Sequence, residues 1–286
     1  MSLSDLTPAK PQRTDPFPPV AAVKGVTRLK DVYDSYFAIT LAETEAQRQA
    51  AFRLRYEVYC VEHPYEDPAQ NPAQMESDAY DTAALHALLT HRHSGSLVGT
   101  VRLILPWSNG VQTRFPIRDV CHDELIARDN PKLPWSHTAE ISRFAISKNF
   151  RRRANEETSV GSFTSQGDDP RRVIPNTSLG LMQAIVMMAA KAQVSHLCAV
   201  MEPTLLRMLR RLGICFIPVG PQVDYHGRRQ PCYSDLDVLL TRIWLERADV
   251  WELITGDGGL WPLNTELAAS LGAEIATKDR ASLPAL

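Results

Sequence analysis

The residues of this 286-residue chain best suited to chemistry are carboxylates and arginines that recur at short spacings. MESDAYD (75–81) sets Glu76, Asp78 and Asp81 within one turn-sized segment. If the segment is extended, Glu76 and Asp78 share a face. Such a concentration of negative charge can hold an amine or a basic side chain; the plain alternative is a solvated turn. The spacing is not that of an EF-hand loop. AEISRFAISKNFRRR (139–153) carries Glu140 and Arg143 in a strand-like alternation, then runs into Arg151, Arg152 and Arg153. In an ideal strand Glu140 and Arg143 face opposite sides. A bulge between them would bring both to one side; a surface ion pair is the simpler reading.

Two further arginines lie in apolar company. Arg55 in FRLRYEVY sits on the apolar stripe of a helix, with Arg53 as the surface alternative. Such an arginine either snorkels to water or is buried against a carboxylate. Arg102 in GTVRLIL (99–105) shares a strand face with Thr100 and Ile104, toward solvent or toward an interior charged site.

The elements that must position these residues follow from periodicity. A strand is predicted over 36–43 and a helix over 44–62, with Thr44 as its cap. Three prolines make 63–74 a loop. Two strands joined at His93–Ser96 form a hairpin over 86–106. A helix over 115–129 precedes the strand 139–146. Beyond 146 every period breaks until 177, which reads as an insertion. An apolar helix (177–193), a buried strand (195–202), a helix opened by Pro203 (203–213), a strand (214–220), a hairpin turning at His226–Gly227 and one long helix (234–253) complete the pattern. The chain is therefore expected to be α/β (α+β), with an antiparallel meander followed by strands able to pair in parallel. Three regions are expected: a loosely ordered arm (1–35), one domain (36–253) with its insertion at 147–176, and a tail (254–286).

Composition narrows the classes. A net charge of −2 argues against bulk nucleic-acid binding. The five cysteines show no CxxC or Cys/His ligand spacing, so neither a zinc site nor a disulfide framework is expected. No secretory signal and no apolar run long enough to span a bilayer is legible. A reduced, cytoplasmic setting fits, with a peripheral membrane location as a variant.

The order of the motifs resembles a known family. Arg55-x3-Tyr59, then Glu76-x-Asp78-x-x-Asp81, then Gly99-Thr-x-Arg102-Leu, then Glu140-x-Ser-Arg143-Phe144 is similar to the pattern of the acyl-homoserine-lactone synthases. The likeness covers roughly residues 37–240. It extends to N-acyl amino acid synthases and most closely to acyltransferases associated with PEP-CTERM/exosortase systems, through RYEVYCVE, MEPTLLRMLRRLGI and GPQVDYHGRR. The resemblance implies a GCN5-related N-acyltransferase fold, a mixed twisted sheet with a splayed central strand pair flanked by helices. It implies an acyl-phosphopantetheine thioester donor, on acyl carrier protein or CoA, a small amine acceptor such as an amino acid, and no resident cofactor or metal. Glu140, Arg143, Asp78 and Asp81 would be catalytic. Arg55, Tyr59, Arg102, Phe144 and Ala145 would bind substrate, with a backbone N–H near Phe144 or Ala145 facing the oxyanion. Arg151, Arg152 and Arg153 would meet the carrier. The arginines would keep the carboxylates ionised. The lactone synthases have phenylalanine where Tyr59 stands and tryptophan about where Tyr65 stands, which points away from S-adenosylmethionine as acceptor. The competing expectations are a CoA-dependent N-acetyltransferase and a non-catalytic acyl-binding regulatory module.

Overall fold

The computed structural model describes residues 28–281, except 109, 127–129, 131, 132, 149 and 151–176, with side chains to 274. Most of the expected insertion, Arg151–Arg153 included, and most of the N-terminal arm lie outside the described residues. The arm's end is ordered, contrary to expectation: Leu29–Tyr36 is a helix (α1) that buries Tyr33.

Strand β1 (Phe37–Leu41) leads into α2 (Glu45–Tyr56). Thr44 caps α2 as expected. Its Oγ1 accepts from the Gln47 N–H, and the Gln47 side chain accepts from the Thr44 N–H, closing a capping box. The helix does not stop at Tyr56 but widens into a π-helical turn, Glu57–Glu62. β2 (Ala84–His91) and β3 (Leu97–Ile104) form the predicted hairpin. Of the helix expected over 115–129 the described residues form only α3 (Ile117–Val120), preceded by a small hairpin of β4 (Trp107–Ser108) and β5 (Val111–Gln112).

β6 (Thr138–Ile146), α4 (Thr177–Ala192), β7 (His196–Met201) and α5 (Pro203–Arg211) follow. Of the strand expected over 214–220 only β8 (Ile217–Pro218) forms; β9 (Val223–Asp224) and β10 (Arg228–Asp235) make the hairpin around His226. The long terminal helix is two helices, α6 (Leu236–Glu246) and α7 (Ala248–Thr255), broken at Arg247, whose φ of −145° is not helical. The tail then forms α8 (Thr265–Ala281).

The sheet runs β1-β2-β3-β6-β7-β10-β8, with β9 paired to β10. All neighbours are antiparallel except β6 and β7. The α4 face holds the main core. Leu179, Met182, Ile185, Val186 and Met188 are almost wholly buried there with Leu89, Val101, Leu103 and Ile141, so these residues are packing. α2 covers the other face through Ala51, Leu54 and Val58, which meet Leu88 and Ala145.

Gly180 marks how tightly α4 seats. A Cβ there would overlap the Tyr33 hydroxyl and approach Leu89 Cδ1 to 2.7 Å. Gly180→Ala is expected to destabilise the fold by about 1–3 kcal/mol despite alanine's better helix propensity. Urea denaturation of the two proteins checks this.

Candidate active site

The site is built on the α2 face of the sheet. Antiparallel register sets His86, Arg102 and Ser142 abreast across β2, β3 and β6, with Ala84, Ile104 and Glu140 in a parallel row. Residues abreast share a face, so Arg102 and Glu140 both point to the sheet face that α2 covers in part. Arg143 should point away. It does not, because the β3–β6 register slips: Arg102 pairs with Ser142 but Thr100 with Ala145, leaving two residues of β6 opposite Val101. The extra residue is absorbed by Arg143, at φ +50°. This bulge turns the Arg143 side chain to the site face, while Phe144 packs against the main core.

An ion network fills the space between sheet and helix. Arg55 is fully buried; its Nε donates to Glu76 Oε2 (2.5 Å), and Nη1 and Nη2 fork onto Asp81 (2.7 and 3.2 Å). Arg102 Nη1 donates to Asp78 Oδ1 (2.6 Å) and Asp81 Oδ1 (2.7 Å), and its Nε to Ser142 Oγ (2.8 Å). Arg143 donates to Glu76 Oε1 (2.8 Å), Asp78 Oδ2 (3.1 Å) and Glu66 Oε1 (3.1 Å). Asp78 and Asp81 also shape their own turn: Asp78 Oδ1 accepts from the Tyr80 N–H and Asp81 Oδ2 from the Asp78 N–H. Every carboxylate of MESDAYD is thus engaged, and Arg55, not Arg53, is the buried arginine.

The electrostatics divide the carboxylates. Burial alone would raise Glu76, but hydrogen bonds and charge from Arg55 and Arg143 outweigh it and hold the group down to about 2. Asp81 is likewise held far below the usual range, its burial outweighed by Arg55 and Arg102. His86 stays neutral, lowered to about 4 by burial and by the two guanidiniums, against the pull of Asp81.

Glu140 behaves oppositely. It makes no ion pair with Arg143 among the described residues. Its Oε2 accepts one hydrogen bond, from the Ile117 N–H (3.0 Å). Around it lies a second apolar cluster with Ile104, Phe115, Ile117, Trp135 and Cys198. Burial pushes Glu140 up to about 8; the Ile117 N–H and the charge of Arg102 oppose this only in part. The arginines hold Glu76 and Asp81 ionised, not Glu140.

Glu140 also sits where the sheet parts. Parallel pairing of β6 with β7 runs from Thr138↔His196 to Ile141↔Ala199 and ends there, while β6 continues to Ile146 on β3 alone. The Ser147 N–H donates to the Val98 carbonyl. Ladder alternation then turns the Ala145 backbone toward β3 and that of Ile146 toward the gap. Cys198, across from Glu140, is a buried thiol pushed well above its usual range by burial.

The remaining wall is aromatic. Tyr59, on the π-helical turn, lies under the Arg143 guanidinium (5.5 Å to the ring centre). Tyr65 packs 6.4 Å from Tyr59, stacks on His63 and carries the Arg229 guanidinium 5.2 Å over its ring. The β9–β10 turn closes in, with His226 Nδ1 3.2 Å from the Tyr65 carbonyl and Nε2 3.8 Å from Glu66. Glu66 is absent from the motif reading, in which Tyr65 figures only as a departure from the family pattern, Ser142 as a letter of the Glu140–Phe144 motif, His226 as a turn and Arg229 within GPQVDYHGRR. Glu66 lies in a loop read only for its prolines, and His226 and Arg229 come from more than 150 residues further on. Among the described residues no His, Cys, Asp and Glu cluster could hold a metal ion, and no helix is long and apolar enough to cross a membrane.

A mixed sheet that opens between two parallel strands and is flanked by helices is the GNAT fold, and residues 54–160 match the family described as an acetyltransferase (GNAT) domain. The matched stretch and the fold in which it lies are those of an acyltransferase. Among solved structures it is similar to TofI in a ternary complex with an inhibitor and MTA (22% identity, 75% of this chain and 99% of that one, TM-score 0.50). It is also similar to FeeM, an N-acyl amino acid synthase from uncultured soil microbes (15% identity, 74% and 96%, TM-score 0.49). At such identities the likeness is one of fold. No curated protein matches the chain.

Two outcomes follow from the charges. Arg55→Leu strands Glu76 and Asp81 without their main partner and should cost about 3–5 kcal/mol in chemical denaturation. Glu140 contributes in the opposite sense to Glu76. With a folded value near 8 and an ordinary one of 4.5, it withdraws stability as pH rises between them, because the unfolded state loses its proton first. Glu140→Gln keeps an acceptor for the Ile117 N–H and cannot ionise. Its melting temperature should therefore gain on the wild type steadily from about pH 5 to about pH 8.

Proposed function

We propose that this chain is an N-acyltransferase that moves a fatty acyl group from an acyl-phosphopantetheine thioester to the amine of an amino acid or similar small acceptor. Acyl carrier protein is the proposed donor, with acyl-CoA as the alternative. The acyltransferases associated with PEP-CTERM/exosortase systems are the proposed kin. The observation that carries the reading is the opening between β6 and β7, with Glu140 at its closed end. Past Ile141 the strand β6 leaves its ladder with β7, and backbone at such a parting suits the amides of a pantetheine arm.

The chemistry follows from what lies at that opening. The neutral amine attacks the thioester carbonyl, forming the C–N bond. The carbonyl oxygen takes negative charge that the backbone N–H of Phe144 would meet; the Ala145 backbone is turned toward β3. Glu140 accepts the proton of the amine, directly or through water, and as collapse of the intermediate breaks the C–S bond the leaving thiolate takes that proton back from Glu140 or from water. A carboxylate near 8 is a stronger base than an ordinary glutamate and is still ionised in part at neutral pH. Asp78 and Asp81 orient the acceptor's side of the site through Arg102 and Arg143. Arg151, Arg152 and Arg153 follow β6 in sequence and would meet an acidic carrier; NFRRRANEE has no Gly-rich phosphate cradle of the kind used for free CoA. Carrier proteins act in the cytoplasm, and a lipidic product would reach the membrane surface from there.

Glu140→Gln should lower turnover by about 10²–10⁴. The wild-type rate should rise with pH toward about 8, and the variant should lack that limb. An unchanged profile removes Glu140 from the proton transfer. Replacing Arg151, Arg152 and Arg153 together by glutamine should weaken use of an acyl carrier protein donor at low salt while sparing a short pantetheine thioester. Equal rates with the carrier would end the docking reading. Mass spectrometry of lipids from cells overproducing the protein should show a new N-acyl amine.

A further inference from the structure

Among the described residues, Arg229 is the guanidinium of the aromatic wall whose ion partner is exposed. Its side chain is 12% exposed and pairs at 2.8 Å with Glu202, which is 43% exposed, at the start of α5. Arg55, Arg102 and Arg143, by contrast, are bound to carboxylates of the buried network. Arg229 lies over Tyr65 and close enough to Tyr59 to act on its phenol. Arg143 lies over Tyr59 of the same ring pair and is bound to Glu66 and Asp78, each about a quarter exposed. Network carboxylates outnumber its arginines: Glu66, Glu76, Asp78 and Asp81 against Arg55, Arg102 and Arg143. Of these carboxylates Glu66 and Asp78 are the partly exposed ones. The Tyr59–Tyr65 pair is thus bordered by two partly exposed carboxylates, Glu66 and Asp78, and by a guanidinium, Arg229, whose own partner Glu202 is exposed.

The placement of the wall is costly in backbone terms. His226, which ties the β9–β10 turn to Tyr65 and Glu66, holds φ at +53°, and Arg143, which meets the same Glu66, holds +50°. Left-handed non-glycine residues persist where surrounding contacts demand them, and they collect at ligand sites. Tyr225, beside His226, lies within electrostatic reach of Arg143, Asp78, Tyr80 and Glu140, so the turn that delivers Arg229 also faces the site.

We propose that Arg229 is a specificity-determining residue that binds the carboxylate of the acceptor in exchange for Glu202, while Glu66 and Asp78 face its ammonium. The acceptor is then an α-amino acid and not a simple amine. This rests on the acyltransferase reading above, and the test separates the two.

The full-length protein is assayed with amino acids and with the corresponding amines that lack the carboxylate, for transfer and, by ligand-observed NMR without donor, for binding. The wild type should prefer the amino acid. Arg229→Gln should raise KM for the amino acid about 10- to 100-fold, the worth of a charge-assisted pair, and leave the amine unchanged. Arg229→Lys should recover part of the loss, and Glu202→Gln should lower KM for the amino acid. Amino-acid binding that Arg229→Gln abolishes supports the anchor even if no acyl transfer is seen, an outcome that removes the acyltransferase reading alone. Equal effects on amino acid and amine, binding retained in Arg229→Gln, or no amino-acid binding by the wild type overturns the anchor.

Discussion

The buried contact between Arg55 and the two carboxylates Glu76 and Asp81 is the interaction on which the site depends. A guanidinium with no exposed surface persists only if its charge and donors are met by fixed acceptors. Three residue types in three elements are therefore tied together: the end of α2, the turn before β2, and through Asp81 the centre of β3. Arg102 and Arg143 extend the same logic across the sheet. Such a network gives little net stability against an apolar packing of equal volume. What it does supply here is geometry, because each forked contact fixes a carboxylate's position and orientation.

The second constraint is the bulge at Arg143. One extra residue in β6 converts a side chain that alternation would send into the α4 core into a member of the network, and it sends Phe144 to the core in its place. The strand then parts from β7 just past Glu140. A strand that turns polar side chains to one face and loses its neighbour on one edge is well made to present backbone and carboxylate together. The different environments of Glu76 and Glu140 follow: one is surrounded by guanidiniums, the other by Ile104, Phe115 and Trp135. Two glutamates of one site thereby take opposite protonation tendencies, about 2 and about 8.

The breaks in expectation have local causes. α1 forms because Tyr33 finds a buried place against Phe37 and α4, which propensity over 29–36 does not show. The terminal helix breaks at Arg247 because α7 must turn to lie against α4 with Val250, Leu253 and Ile254 buried, and no proline or glycine marks the place. Of the helix expected over 115–129 the described residues keep only α3, because Phe115 and Ile126, outside it, and Ile117, at its start, are all buried in the cluster with Ile104 and Trp135.

Periodicity and caps by themselves determined the meander, the capped α2, the hairpin of β2 and β3, and the run of strand and helix from β6 to β7, because these depend on residues near one another in the chain. The types and order of Arg55, Asp78, Asp81, Arg102, Glu140 and Arg143 also marked a charged site. Only the tertiary structure decided who meets whom. Glu140 and Arg143, three residues apart, go to different partners, whereas Glu66 and His226, far apart in the chain, come close. Register slip, burial and the crossing of β9–β10 over the loop at Tyr65 are long-range outcomes of packing. A local pattern of letters holds no record of the distances that set a carboxylate's charge.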